Sequence, residues 1–253
     1  MIAKADTLYT HNVITDIPKE SEYTSLMAVI DAIDCVAQSS NMVTHIFDNY
    51  KRTFLYTSSQ FIGFSGLSEA KLKEVGADMF IDYISDDDAE KNKMAADEIF
   101  KFLNKLYPSE RKNFSFSYTL NFVNAVSKKK QIVKSRISVL KQRPNGDVWL
   151  VLVTFSLPTK ASEQQFTCIN HKTNEQLIYD WDEKCWKGMK NPLSDNEKQM
   201  LMYAAMGYSI QEIADLMIKA IDTIKGYRRK IFEKLEVDNI TEAVNYALAN
   251  HLI

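Results

Sequence analysis

From Glu22 onward, Tyr23, Leu26, Met27, Ile30, Ile33 and Ala37 recur every three or four positions, which predicts an amphipathic helix to about Gln38. Residues 1 to 20 have no period and are expected to form a loose arm, and the helix either lies on its own domain or pairs with a second copy. The pattern then changes. Val43 to Phe47 and Arg52 to Thr57 are short β-rich runs around a turn at Asp48 to Lys51. Glu69 to Glu74 reads as a helix, a short apolar turn spans Met79 to Ile84, and Asp86 opens a helix to about Tyr107 with Met94, Ile99, Leu103 and Leu106 inward. Phe114, Phe116, Tyr118, Leu120 and Phe122 alternate with Ser, Ser, Thr and Asn, the period of a half-buried strand. After a turn at Lys128 to Lys130, the strands Ile132 to Gln142 and Val148 to Leu157 are joined by Pro144-Asn145-Gly146-Asp147, whose Asn-Gly pair favours a tight hairpin. Two strands, several small helices and three antiparallel strands make an α+β domain.

A second short hairpin, Phe166 to Asn170 and Gln176 to Trp181, forms an aromatic, partly structured connector that leads through Cys185, Trp186 and Pro192 to a helical tail. In that tail Ser194/Glu197, Ser209/Glu212 and Asn239/Glu242 each place a capping side chain three residues before a carboxylate, marking three helix starts. Gly207 ends the first helix. Between the second and fourth starts, Asp222 to Leu235 buries a stripe of Ile224, Ile231 and Leu235, with Lys225, Gly226 and Arg229 on the opposite face. A short helix, a tight turn and a basic helix is a layout for reading DNA.

The chain of 253 residues has a net charge of -2, so nothing pulls it as a whole toward nucleic acid. The tail itself, Leu193 to Ile253, holds seven Lys and Arg against nine Asp and Glu, but Thr223 to Lys234 concentrates Lys225, Arg228, Arg229, Lys230 and Lys234 against Glu233 alone. Cys35, Cys168 and Cys185 form no paired motif, which points to free thiols in a reducing compartment. No apolar run is long enough to cross a bilayer, and a cytoplasmic protein with no membrane partner is expected. The Asp86 to Asp88 run, with no His nearby, suits a first helical turn better than a metal site.

Two resemblances follow from these residues. The run from His45 through Phe54-Leu55-Tyr56-Thr57-Ser58-Ser59, the phrase Phe61-Ile62-Gly63-Phe64-Ser65, then Leu67 to Leu72 and the Asp86 to Asp88 cluster resemble a PAS sensor domain over residues 40 to 158. That resemblance implies small helices between the second and third strands of a five-stranded antiparallel sheet. The axial His of haem-binding members and the reactive-cysteine motif of flavin-binding light sensors are both absent, so no cofactor is predicted. Phe54, Phe64, Phe80, Phe102, Phe116, Tyr118 and Trp149 either fill the core or line a cavity for an unknown small apolar or aromatic ligand.

The tail, ungapped from Leu193 to about Ala249, closely resembles the LuxR/FixJ/NarL-type helix-turn-helix. The resemblance implies a transcription factor whose third helix enters the major groove of double-stranded DNA. Carried over position by position, it places Lys225, Gly226 and Arg229 toward bases and Thr223, Arg228 and Lys230 toward the backbone, and it implies pairing of two copies through the last helix. Asn196, Ala220 and Tyr227 depart from the family's usual Arg, Ser cap and His. A lost Ser cap costs about 0.5–2 kcal/mol, and a helical Gly such as Gly226 about 0.8–1 kcal/mol relative to Ala.

The expected organisation is an arm and helix over 1–39, a PAS-like antiparallel sheet domain over 40–158, a structured connector over 159–192, and an all-α four-helix LuxR-type domain over 193–253. The expected function is a homodimeric, sequence-specific transcriptional regulator and not an enzyme. Its rivals are a phosphorylation-controlled response regulator, an enzyme with a helical appendage and a protein-interaction module that does not touch DNA. With seven glycines and no nucleophile elbow or phosphate-cradling loop, the chain offers little to the enzyme alternative.

Overall fold

The computed structural model describes residues 12–76, 82–158, 165–189, 193–250 and 252–253, and the side chains of Asp86 and Asp87 lie outside that description. The chain divides into two compact units, Met1–Lys187 and Gly188–Ile253.

In the first unit, α1 (Glu20–Thr24) and α2 (Met27–Ser39) precede β1 (Val43–Asp48) and β2 (Thr53–Thr57). Helices α3 (Ser59–Ser65), α4 (Glu69–Val75) and α5 (Asp86–Asn104) follow, then β3 (Phe114–Val123), β4 (Lys130–Gln142) and β5 (Val148–Ser156). The expected leading helix is broken at Ser25–Leu26 into α1 and α2. Helix α3 was not foreseen; Ser58 starts it by accepting the Phe61 N–H at 3.1 Å, and Phe61 is fully buried. Phe80 and the first half of the Met79 to Ile84 turn lie outside the described residues.

Among the described residues the strands form one eight-stranded sheet in the order β2-β1-β5-β4-β3-β6-β7-β8, where β6 (Thr167–Asn170), β7 (Glu175–Asp180) and β8 (Cys185–Gly188) come from the connector. Strand β6 pairs antiparallel with β3, Phe114 opposite Asn170 and Ser117 opposite Thr167. The connector is therefore continuous with the sheet, and it covers the β3 edge that a five-stranded sheet would leave open. Its Phe166, 1% exposed, packs against Trp186, Tyr179 and Trp181 at centroid distances of 4.8, 5.5 and 5.6 Å.

Helix α5 covers one face of the sheet with Ala95, Ile99, Phe100 and Leu103, while Met94, expected inward, is 40% exposed. Asp88 Oδ2 accepts from the Asn121 N–H at 2.7 Å and the Asn121 Nδ2–H at 2.8 Å, so this carboxylate ties the start of α5 to β3. The other face carries a second cluster, in which Leu26, Ile46, Trp149 and Leu150 pack with Tyr23, Ile30 and Ile33. Residues expected as a loose arm are fastened here from Asn12 onward. Thr15 donates N–H and hydroxyl to Asp147 Oδ2 at 2.7 and 3.0 Å, and Arg143 bonds Glu22 at 2.7 Å and Asp16 at 3.3 Å.

The β4–β5 turn has the expected Asn-Gly form, with Gly146 at φ 95° and the Arg143 N–H bonded to the Asp147 carbonyl at 2.8 Å. Its register slips twice, between Val139 and Lys141 opposite Val151 and Leu150, and between Lys141 and Gln142 opposite Leu150 and Val148, where Trp149 is the extra residue of β5. Such a bulge re-aims the side chains beyond it.

The second unit contains α6 (Asp195–Ala205), α7 (Ile210–Leu216), α8 (Ile221–Leu235) and α9 (Ile240–Ala249) around a core of Leu193, Met200, Leu201, Ile213, Ala214, Ile224, Ile231, Leu235, Ala243 and Ala247.

Candidate nucleic-acid interface

Capping sets the starts of the helices that hold the interface. Ser194 and Ser209 each accept the N–H three residues on, and Glu197 and Glu212 return bonds to the Ser N–H at 2.7 and 2.8 Å. At α9 the exchange is offset: Asn239 accepts the Glu242 N–H at 2.9 Å, but Glu242 reaches back to the Asp238 N–H at 3.0 Å. Gly207, at φ 89°, lets the chain turn from α6 into α7.

Helix α8 has no such start. Ala220 takes the extended N-cap conformation without a side-chain bond to the first turn. The helix is held from within instead: Ile224 and Ile231 are fully buried and Leu235 is 2% exposed. Lys234 adds an ion pair to α6, its Nζ 2.7 Å from Glu197 Oε2. Burial pushes the Glu197 carboxyl up, but the bonds from Lys234 and Ser194 outweigh it and hold the group below its usual range.

The face of α8 turned away from the core carries the expected contact residues. Thr223, Lys225, Arg229 and Lys230 are exposed, while Gly226 and Arg228 are half-buried. Lys225 Nζ lies 3.2 Å from Asp222 Oδ1 and Arg229 Nε lies 3.8 Å from Glu233 Oε1, both loose surface pairs that a stronger anion can displace. The Arg228 guanidinium rests over the Phe232 ring at 5.9 Å. A Cβ added at Gly226 would meet nothing within 4 Å, so this position is an open notch in the helix surface. Asp222, three positions before Lys225, shares that exposed face.

The candidate ligand residues of the first unit that are described do not line one cavity. Tyr118 borders two: a cavity of about 30 Å³ beside Asn49, Ser135 and Phe155, and a cleft of about 200 Å³ between α5, β3 and the connector, beside Asp88, Asn92, Phe166 and Trp181. Phe54 and Phe64 pack in the core with Phe61 and Phe122, and Phe102 and Phe116 pack against Trp186. Trp149 is on the opposite face of the sheet, as the extra residue at the second register slip, with Tyr23 edge-on at 5.1 Å. Strict alternation along β5 would put it on the face of Val151 and Val153. The smaller cavity is the size of a water molecule or two, whereas the cleft has room for a small organic molecule.

A capped short helix, a tight turn and a basic helix braced against the first helix of its unit define a helix-turn-helix DNA-binding unit. Residues 191–247 match the family model GerE, described as bacterial regulatory proteins, luxR family, so the C-terminal unit is a LuxR-family helix-turn-helix domain. Over 61 residues the chain is 43% identical to the Response regulator protein VraR of Staphylococcus aureus and of Staphylococcus saprophyticus, across 24% of this chain and 29% of theirs. The chain thus spans under a third of the length of these curated relatives. Among solved structures it is similar to the phage VqmA-DPO complex, at 14% identity and a TM-score of 0.35 over 89% of this chain and 90% of that one. It is also similar to the Vibrio cholerae VqmA dimer in the absence of target DNA, at 13% identity and a TM-score of 0.34 over 89% and 88%. No helix among the described residues is long and apolar enough to cross a membrane.

Proposed function

We propose that this protein is a sequence-specific, DNA-binding transcriptional regulator in which a PAS-like sensor, residues 40–158 extended by the connector strands, controls the LuxR-type domain. The observation that carries the proposal is the exposed row of Thr223, Lys225, Arg229 and Lys230 on a helix whose opposite face is buried. Cations concentrated there neutralise phosphates, and Lys and Arg at helical spacing reach guanine's paired acceptors. Two copies bind a two-fold site through α9, where Leu248 is 53% exposed and Val244 half-buried.

The signal is a small, partly aromatic molecule in the cleft between α5, β3 and the connector, where Tyr118, Phe166 and Trp181 offer ring faces and Asn92 a polar wall. That cleft is bordered by the strands that lead to the second unit, so an occupant would bear directly on the connector. Control by phosphorylation is the weaker alternative: a receiver is a doubly wound parallel sheet, and the strand pairs of the first unit are antiparallel.

Selection of bound sites from random duplexes tests the proposal. An enriched two-fold motif that disappears in Lys225→Ala and Arg229→Ala supports it. With no enrichment by the intact chain, it fails.

A further inference from the structure

Asp222 stands in the first turn of α8 with its side chain 92% exposed and its Oδ1 3.2 Å from Lys225 Nζ. A free carboxylate on a surface that approaches phosphates repels them and weakens sequence-independent attraction. It also favours the helix dipole in a first turn whose N-cap, Ala220, makes no side-chain bond. The major groove supplies another partner. Cytosine presents an N4 amino donor that a carboxylate accepts, and on the same base pair guanine presents O6 and N7 to a lysine or arginine. An acceptor and a donor already held side by side, three positions apart on one helical face, match that edge.

We propose that Asp222 is a specificity-determining residue: Asp222 and Lys225 read one G·C pair together, Asp222 accepting from cytosine N4 and Lys225 donating to guanine O6 and N7. This rests on the assignment of α8 to the major groove. The first residues of a recognition helix are those that reach base edges, which suits a pair at Asp222 and Lys225. The carboxylate also lies 3.2 Å from the Lys225 ammonium, a loose surface contact that the base edges can replace. The other three base pairs fit less well. With C·G in the same orientation, an amino donor faces Lys225 and acceptors face Asp222, so both contacts become repulsive; with A·T, Lys225 keeps only N7 beside an amino donor while a carbonyl acceptor faces Asp222. A T·A pair keeps one acceptor and one donor but puts a methyl group where guanine offers N7. The predicted order at this position is G·C, then T·A, then the other two.

The test is site selection with the full chain as wild type, Asp222→Ala, Asp222→Asn and Lys225→Ala, followed by competition binding on duplexes changed at single positions. Wild type should enrich a G·C column that Asp222→Ala relaxes, with discrimination there falling roughly 5- to 100-fold and the rest of the motif unchanged. Lys225→Ala should relax the same column. Asp222→Asn should shift it toward adenine, which asparagine reads through N6 and N7. Asp222→Ala should also bind unrelated DNA more tightly at low salt, while an unchanged melting temperature excludes a folding effect. The proposal is overturned if Asp222→Ala enriches an unchanged motif and merely binds more tightly, or if the two alanine variants relax different columns. Absence of any motif for wild type overturns the groove assignment together with the proposal.

Discussion

Lys234, in the last turn of the recognition helix, meets Glu197 on the first helix of the same unit at 2.7 Å, and Glu197 is only 3% exposed. The same carboxylate accepts the Ser194 N–H, so one side chain both caps α6 and fastens α8 to it. Either Glu197→Gln or Lys234→Met is expected to destabilise the second unit by about 1–3 kcal/mol, and the double variant by less than the sum. Denaturation followed by circular dichroism measures both. The pH dependence has a definite sign. A carboxyl held below its usual range stabilises the fold fully above about pH 4.5 and loses that contribution as pH falls through its folded value. Glu197→Gln should remove that part of the acid sensitivity.

The exposed cations of α8 should divide by role. Arg229→Ala, at a position proposed to face bases, should cost about 1–3 kcal/mol on the selected site and relax one column of the motif. Lys230→Ala should weaken all sequences alike and lower the slope of log affinity against log salt by about 1. Binding titrations over a salt series distinguish the two, and equal effects on specificity would count against the assignment.

Ala220 already has the extended backbone of an N-cap, at φ -67° and ψ 146°, but lacks the oxygen to use it. Ala220→Ser should stabilise the second unit by about 0.5–2 kcal/mol by accepting the Thr223 N–H. A lower melting temperature would contradict that account of the helix start.

Phe166 belongs to the connector by sequence and to the first unit's aromatic core by position. Phe166→Ala should destabilise the first unit by about 3–5 kcal/mol, a core-sized loss that a free linker residue would not give. Ending the chain after Pro158 should expose the β3 edge and cause aggregation, measurable by light scattering.

His45 is fully buried among Phe54, Phe61 and Phe155, with centroids 4.9, 4.9 and 5.7 Å away, and burial pushes its pKa down to about 3. The unfolded chain takes up the proton near pH 6.5 and the folded one does not, so stability falls as pH drops from about 6.5 toward 3. By about pH 5.5 the first unit should have lost about 1 kcal/mol relative to neutral pH. His45→Leu should flatten that slope, as measured by melting temperature across the range.

Local rules carry much of this molecule, and they are legible in the chain itself. The Ser194 and Ser209 capping boxes, the alternation of β3, the Asn145-Gly146 turn and the buried stripe of α8 are each set by neighbours a few residues apart, so their sequence spacing specifies them. Tertiary pairing decided the rest. Strand β6 lies beside β3 although some fifty residues separate Thr167 from Ser117, and no local preference encodes that partner. The slip opposite Leu150 and Val148 depends on how β4 meets β5, and it puts Trp149 on the far face, away from the expected cavity. The carboxylates at 22, 88 and 197 looked like surface or helix-start charges in sequence. Their partners Arg143, Asn121 and Lys234 lie on other elements, so only folding could bring them together.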